Sequence, residues 1–372
     1  MKVLFVATVR SHIGQFHMPF IRALKSDGYT VDAAFKDNSD IKPGLDLTGF
    51  DNIYEVPFER SPYRPENIKA YRVLKKIIDN GNYDIVHCHT PMGAVVTRLA
   101  ARVARKRGTK VFYTAHGFHF FKGAPKKNWI LYFPMEKYLS KYTDLLININ
   151  QEDYDLAHKK KFSAKNIEKI NGVGVDLTKF ANTTEEEKIF FRNKYGFGKE
   201  KFILFYAADL CHGKNQAMIF KAMSQIKNQC PNLLLILPGQ QTMLSEYQKM
   251  CEELGISEMV KFLGYRRDID SLLATCDCVV STSRREGLPV NLIEAAARGK
   301  YIIATNVRGN ADVVNECEYG SLVELDDFDS LAIKLSKLYT NGVPELIGEP
   351  KVKGFEVETI VNKLLELYTK YK

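Results

Sequence analysis

The sequence predicts an α/β protein made of two doubly wound parallel-sheet domains in tandem, and three observations lead there. The chain has 372 residues, which at roughly 100–200 residues per domain suggests two domains of similar size. Short, continuously apolar runs alternate with helical periods from end to end, the pattern of parallel strands covered on both faces. The alternation pauses once, over the charged residues 176–200, and then begins afresh.

In the first half the strand candidates are 2–8 (KVLFVAT), 30–35 (TVDAAF), 84–88 (DIVHC), 110–114 (KVFYT) and 144–149 (DLLINI). Apolar spacing near the helical period predicts helices between them, at about 16–27, 66–79, 91–107, 127–142 and 151–160. In the second half, strands are expected at 202–207, 233–237, 259–263, 277–281 and 301–304. Helices follow at about 215–228, 241–254, 268–275, 290–299 and 328–340. Residues 176–200 read as a linker plus one helix, and 355–370 as a last amphipathic helix. The expected domains are residues 1–175, residues 176–353, and a C-terminal helix, 354–372, that packs back on the first domain. Ligands of such sheets bind outside the carboxyl ends of the strands, where strand order reverses. An interdomain cleft between two such edges is therefore the expected site.

Composition narrows the function. With 45% hydrophobic and 26% charged residues, the chain can bury large cores without disulfides or metals, which excludes disordered, collagen-like and small disulfide-stapled proteins. No run of about 18 apolar residues is present, so no spanning helix is expected. The N-terminal apolar run is only about seven residues and reads as a buried strand rather than a signal peptide, which makes the cytoplasm the expected compartment. The seven cysteines are irregularly spaced and match no zinc pattern, so they are read as reduced thiols.

The net charge of +9 is unevenly spread: residues 51–150 hold 17 basic against 8 acidic residues. Such a half calls for a nucleic acid, an anionic membrane surface or a phosphorylated ligand. Arg98, Arg102, Arg105, Lys106 and Arg107 lie on one predicted helix, followed by Lys122, Lys126, Lys127, Lys137 and Lys141. Phe118, Phe120, Phe121, Trp129, Tyr132 and Phe133 interleave with them. Basic and aromatic residues together suit the headgroup layer of an anionic membrane. No nucleic-acid module accompanies them, so nucleic acid is not expected.

The sharpest local motif is Arg285-Glu286-Gly287-Leu288-Pro289-Val290-Asn291-Leu292-Ile293-Glu294, between a buried strand and a helix. Glycine and proline at a helix start leave backbone N–H groups free for an anion such as a diphosphate. Glu286 sits in the loop before the helix and Glu294 about one turn inside it. Lys214 follows strand 202–207 at the start of another helix, where a point charge suits phosphate. Six of the eight histidines fall in the first 119 residues: His12, His17, His87, His89, His116 and His119. A metal triad of His87, His89 and His116 lacks a carboxylate or cysteine at ligand spacing, so no metal is expected. The pairs Asp153/Asp155, Asp268/Asp270 and Asp327/Asp329 each begin a predicted helix and read as caps rather than as an ion site. The GxGxxG dinucleotide fingerprint is absent, which argues against NAD.

Glu286-Gly287-Leu288-Pro289 followed by Glu294 resembles the E-x7-E signature of glycosyltransferase family 4, retaining enzymes of GT-B fold with two Rossmann-like domains, and the resemblance spans nearly the whole chain. It implies that Glu286 lies by the transferred sugar, that the amides of residues 287–289 hold the donor diphosphate, and that Glu294 binds the ribose hydroxyls. It also implies that Lys214 contacts the diphosphate. Where the family usually carries an arginine five residues before this lysine, the chain has Asp209, which could orient Lys214 or meet a sugar hydroxyl. Thr114-Ala115-His116-Gly117 is similar to the family's strand-end histidine, so His116 joins Glu286 as a catalytic candidate. In the first loop, 8–17, Gly14 stands where many members have two glycines close to the donor. The patterns around His12, His17 and residues 113–125, and Asn171-Gly172-Val173-Gly174-Val175-Asp176 at the domain exit, resemble a subgroup that builds capsules and exopolysaccharides. His12, His17, His89 and His119 are the acceptor-side candidates.

The resemblance implies a metal-independent retaining glycosyltransferase with no cofactor. It would move a hexose or N-acetylhexosamine from a nucleotide sugar, expected to be a UDP-sugar, to a lipid-diphosphate-linked sugar. The enzyme would sit peripherally on an anionic membrane, at the inner face. A UDP-N-acetylhexosamine epimerase of the same fold and a non-catalytic sugar-nucleotide binding protein are the alternatives.

Overall fold

The computed structural model describes residues 1–41, 44–180, 182–348 and 351–372; residue 181, within the expected linker, lies outside them. Two compact units are found, one of Met1–Gly174 with Val357–Lys372, the other of Val175–Glu356.

The first unit contains seven strands: β1 (Lys2–Val9), β2 (Thr30–Lys36), β3 (Asn52–Glu55), β4 (Ile85–His89), β5 (Lys110–Ala115), β6 (Leu145–Asn148) and β7 (Asn166–Lys169). Their order is β3-β2-β1-β4-β5-β6-β7, and every pair is parallel. The second unit contains β8 (Phe202–Phe205), β9 (Leu233–Pro238), β10 (Val260–Gly264), β11 (Cys278–Ser281), β12 (Tyr301–Thr305) and β13 (Gly320–Val323). Their order is β10-β9-β8-β11-β12-β13, again wholly parallel. Strand order reverses between β1 and β4 in one sheet and between β8 and β11 in the other.

The central strands alternate side chains between two apolar layers. In the second unit Leu204, Leu235, Leu237, Val280 and Ile303 pack on Met218, Phe220 and Leu335. Ile203, Phe205, Ile236, Val279 and Ile302 pack on the opposite layer, with Leu292, Ile293 and Val313. Three strands escaped the sequence reading: β3, β7 and β13. Each lies at a sheet edge and is mostly exposed or half-buried, so none is a continuous apolar run. The helix Asn310–Cys317 also went unpredicted.

One expected loop is helical, and one predicted helix is broken. Residues 10–16 form a helix directly after β1 rather than a loop, and a second helix, Met18–Ser26, follows across His17. Residues 91–107 divide into Pro91–Ala100 and Arg102–Lys106.

The basic helix is divided: Arg102, Lys106 and Arg107 are exposed, but Arg98 and Arg105 are taken up inside the unit. Arg98 is 1% exposed, pairs with buried Glu136 at 2.8 Å and stacks over Tyr113. Arg105 makes two bonds of 2.9 Å to Asp144, whose carboxyl these contacts and others hold at about 2 despite burial. Phe118 and Phe120 are core residues, and Trp129, Tyr132 and Phe133 pack against that core.

Of the aspartate pairs, Asp327 caps its helix by accepting from the Ser330 amide at 2.9 Å. Asp153 does not cap; Asn150 does, and Asp153 accepts from the Phe118 amide. Asp268 holds Arg266 and Tyr195, and Asp270 pairs with Arg298.

The last helix, Val357–Tyr371, is part of the first unit. Tyr368 is fully buried, its hydroxyl lies 2.7 Å from His87 Nδ1, and its ring packs edge-on against Phe20 and Phe112. The chain enters this helix beside Gly174, whose φ is +82° and where a Cβ would lie 2.5 Å from Val357 Cα. Gly28 has nearly the same φ, +78°, but nothing within 4 Å of its missing Cβ. Gly28→Ala therefore incurs only left-handed strain, about 1–2 kcal/mol. Gly174→Ala adds a backbone clash and is expected to be less stable still by about 1–3 kcal/mol. Denaturant midpoints of the two variants measure the difference, and equal values would exclude a tight approach at Gly174.

Candidate active site

In the second unit, the loops leaving β8 and β11 at the strand-order reversal are stitched together. Tyr206 donates to the Lys214 carbonyl at 2.6 Å, and its oxygen lies 2.9 Å from Ser283 Oγ. Thr282 Oγ1 donates to the Asn215 carbonyl at 2.9 Å, and the Arg284 amide to the Gly213 carbonyl at 2.9 Å. Arg284 then reaches Asp326 and Asn215. Asn215 and Asp326 both have left-handed backbones, a conformation more readily adopted by Asn and Asp than by most residues.

This stitching brings Lys214 and Glu286 together: Lys214 Nζ donates to Glu286 Oε1 at 2.6 Å. Both are partly exposed, at 30% and 14%, so the pair is within reach of a ligand. Glu286 is fixed from behind by Arg308 Nε, which donates to its carbonyl at 2.9 Å. Gly309 closes on the same loop: a Cβ there would lie 2.8 Å from the Gly287 carbonyl oxygen. Arg308 and Gly309 were missed in the sequence, although a glycine between strand 301–304 and a helix was a readable signal.

The helix Val290–Ala297 starts without a side-chain cap, which leaves its first amides available to an anion. Pro289 has no N–H, so the expected trio of amides at 287–289 is corrected: only Gly287 and Leu288 of the three carry one, and Val290 and Asn291 open the helix after them. Asn291 donates to the Ala207 carbonyl at 3.1 Å and holds the helix start against the loop after β8.

Glu294 lies in the second turn. Burial, reinforced by the Asp270 charge, pushes its carboxyl up to about 7. Asp209 does not orient Lys214. It is exposed, and its Oδ1 accepts from the Gln240 amide at 3.0 Å, tying the loop after β8 to that after β9.

In the first unit, the reversal between β1 and β4 gathers histidines. His12 and His17 follow β1, His89 ends β4 and His116 follows β5. One ring nitrogen of each lies within 4.8 Å of the others. His17 and His89 rings are 4.0 Å apart, and those of His12 and His116 4.6 Å. Burial lowers His116 to about 4 and His87 to about 3, and holds His12, His17 and His89 well below the usual histidine range, helped by the neighbouring rings. His87 lies beside His89, with ring centres 4.3 Å apart, but both its nitrogens are engaged, by the Tyr368 hydroxyl and by Thr114 Oγ1 at 2.8 Å. His119 lies outside the four, its ring tilted against Tyr132 at 4.8 Å.

A cavity of about 430 Å³ opens beside the cluster, lined by Thr8, His12, Arg60, Thr90, His119 and Tyr132. Thr90 adopts φ +63°, a strained value for a β-branched residue. Its Oγ1 accepts from the Thr8 amide at 2.9 Å and so clamps the ends of β1 and β4. Gly14 is helical, and a Cβ on it would lie 3.1 Å from Leu45, so its size serves packing there.

Comparison with known proteins agrees with this architecture. Residues 2–150 match the "Glycosyl transferase 4-like" family model and residues 187–349 match "Glycosyl transferases group 1". The chain is 41% identical to the putative glycosyltransferase EpsD of Bacillus subtilis, over all of this chain and 97% of the relative. It is 28% identical to the Escherichia coli UDP-Gal:alpha-D-GlcNAc-diphosphoundecaprenol alpha-1,3-galactosyltransferase, over 82% of this chain and 79% of that enzyme. The crystal structure of Anabaena HepE with UDP and glucose superposes with a TM-score of 0.77 at 22% identity, covering both chains fully. Two Rossmann-like units, the two family models and a full-length relative place this chain among the family 4-like, group 1 glycosyltransferases of GT-B fold.

Proposed function

We propose that this glycosyltransferase moves a hexose or N-acetylhexosamine from a UDP-sugar to a lipid-diphosphate-linked sugar, with retention of configuration, in polysaccharide biosynthesis. The Lys214–Glu286 contact beside an uncapped helix N-terminus carries the reading. A cation and free amides suit a departing diphosphate, and a carboxylate suits a sugar whose anomeric carbon becomes cationic. As the anomeric C–O bond to the diphosphate breaks, Lys214 and the amides of Gly287, Leu288 and the helix start take the growing negative charge, without a metal. A diphosphate oxygen accepts the proton of the acceptor hydroxyl, whose oxygen bonds to the same face. Glu286 and His116 position the sugar. Glu294 accepts from the ribose hydroxyls. The acceptor class is supported by the diphosphoundecaprenol substrate named for the Escherichia coli relative, and the donor by UDP in the HepE structure. His12 and His119, lining the cavity at the end of β1, fall to the acceptor, with His17 and His89 behind them.

Peripheral membrane binding at the inner face is part of the same proposal. No described helix is long and apolar enough to cross a membrane. The helix Lys126–Ser140, however, leaves Ile130 77% and Tyr138 56% exposed, with Leu131 also exposed. These residues share a face with exposed Lys127, Lys137 and Lys141, an apolar strip edged by cations that suits an anionic interface.

Three outcomes are expected. Incubated with a UDP-sugar panel and inner-membrane extract, the protein transfers one sugar to lipid, followed by mass spectrometry. Glu286→Ala and Lys214→Ala each slow this by about 10²-fold or more. An altered free sugar nucleotide with no transfer would instead identify an epimerase. Secondly, ribose hydroxyls need an ionised Glu294, so binding expels its proton. Affinity for a UDP-sugar, measured by calorimetry, is full above about pH 7 and falls up to about tenfold per unit below it. Glu294→Gln flattens this profile; a flat wild-type profile would remove Glu294 from the ribose. Thirdly, the double variant I130S/L131S loses sedimentation with phosphatidylglycerol vesicles while keeping UDP-sugar affinity, and undiminished sedimentation would move the contact elsewhere.

A further inference from the structure

The four histidines of the first unit have a geometry that sugar transfer does not require. The Nε2 atoms of His12 and His17 are 3.4 Å apart, as are His89 Nδ1 and His116 Nε2. That is long for a hydrogen bond, whose usual N···O length is about 2.9–3.0 Å. It matches the edge, about 3.3–3.4 Å, of a tetrahedron of nitrogens around an ion bound at about 2.0–2.1 Å. The remaining separations are within 4.8 Å, which small ring rotations close.

The cluster contains no carboxylate to accept from these rings, which meet one another nitrogen to nitrogen. Four imidazoles drawn together, two of them buried and none facing a carboxylate, suit a ligand that accepts several lone pairs at once. The anchors are rigid: His89 ends a central strand, and His17 lies at the helix break that turns its ring back toward His12.

We propose that His12, His17, His89 and His116 bind one divalent transition-metal ion, zinc being the ion that an all-imidazole tetrahedral set best suits. The ion is distinct from any that would sit on donor phosphates, since the diphosphate is assigned to Lys214 and backbone amides of the other unit. It would lie next to the cavity that His12 lines. With its ring on the ion, His116 would meet a sugar through its backbone, and His12, His17 and His89 would serve the acceptor by shaping its cavity as ligands of the ion rather than by bonding to it.

The test uses the untagged full-length chain, stripped of metal by a chelator and titrated with Co²⁺ alone. One Co²⁺ per chain should bind with the intense visible bands of a tetrahedral site, and Zn²⁺ should displace it. His12→Gln and His116→Gln should each weaken Co²⁺ affinity at least about tenfold, and the double variant should lose the bands. His158→Gln, away from the cluster, should change nothing. Circular dichroism of each variant shows that it is folded. Absence of tetrahedral bands in the wild type, or bands of equal affinity in the double variant, would overturn the proposal.

Discussion

In a doubly wound parallel sheet, the loops that leave two neighbouring strands at the reversal of order run to helices on opposite faces, so neither covers the gap between them. Both candidate clusters depend on that constraint. Between β8 and β11 the gap receives Lys214 and Glu286, and between β1 and β4 it receives the histidines. An open gap would leave backbone groups unpaired and loops loose. Here the loops are tied across it, by Thr90 to Thr8 in one sheet and by Tyr206, Thr282 and Arg284 in the other. Side chains offered to a ligand are thus held by bonds that the ligand does not have to make, the condition for a preorganised site.

The two gaps differ in how they treat charge. Lys214 and Glu286 keep solvent access, so the pair can be opened by a ligand. The histidines are deep enough that burial favours the uncharged ring in all four. A diphosphate needs a cation and free amides, which only the first arrangement offers; a metal ion needs neutral nitrogen lone pairs, which only the second offers. The basic surplus of the first half follows the same logic. Arg98 and Arg105 are consumed by Glu136 and Asp144 inside the unit, while Arg102, Lys106 and the lysines around Ile130 and Tyr138 stay at the surface.

Most of the fold was legible because parallel central strands are buried on both faces and read as unbroken apolar runs. Edge strands are not. Asn52–Glu55 and Asn166–Lys169 each pair on one side only and carry polar side chains toward solvent, so their sequences look like loops. The motif from Glu286 to Glu294 was legible because glycine and proline punctuation marks a helix start whatever surrounds it. Asp209 was not: its partner, the Gln240 amide, comes from a loop thirty residues on, and nothing local announces the pairing.

The histidine cluster shows why spacing rules fail on this architecture. Ligands on one helix announce themselves at three or four residues, and His12 and His17 are five apart, which an unbroken helix would set on different faces. Only the break at His17, where one helix ends and the next begins, returns the two rings to 5.2 Å. The other two partners lie 72 and 99 residues beyond His17, at the ends of β4 and β5, and those separations are set by the intervening strands and helices and not by the site. Local sequence therefore fixes which strand end each histidine occupies. Strand order, a property of the whole sheet, decides that β1, β4 and β5 are neighbours and that four widely separated imidazoles share one small volume.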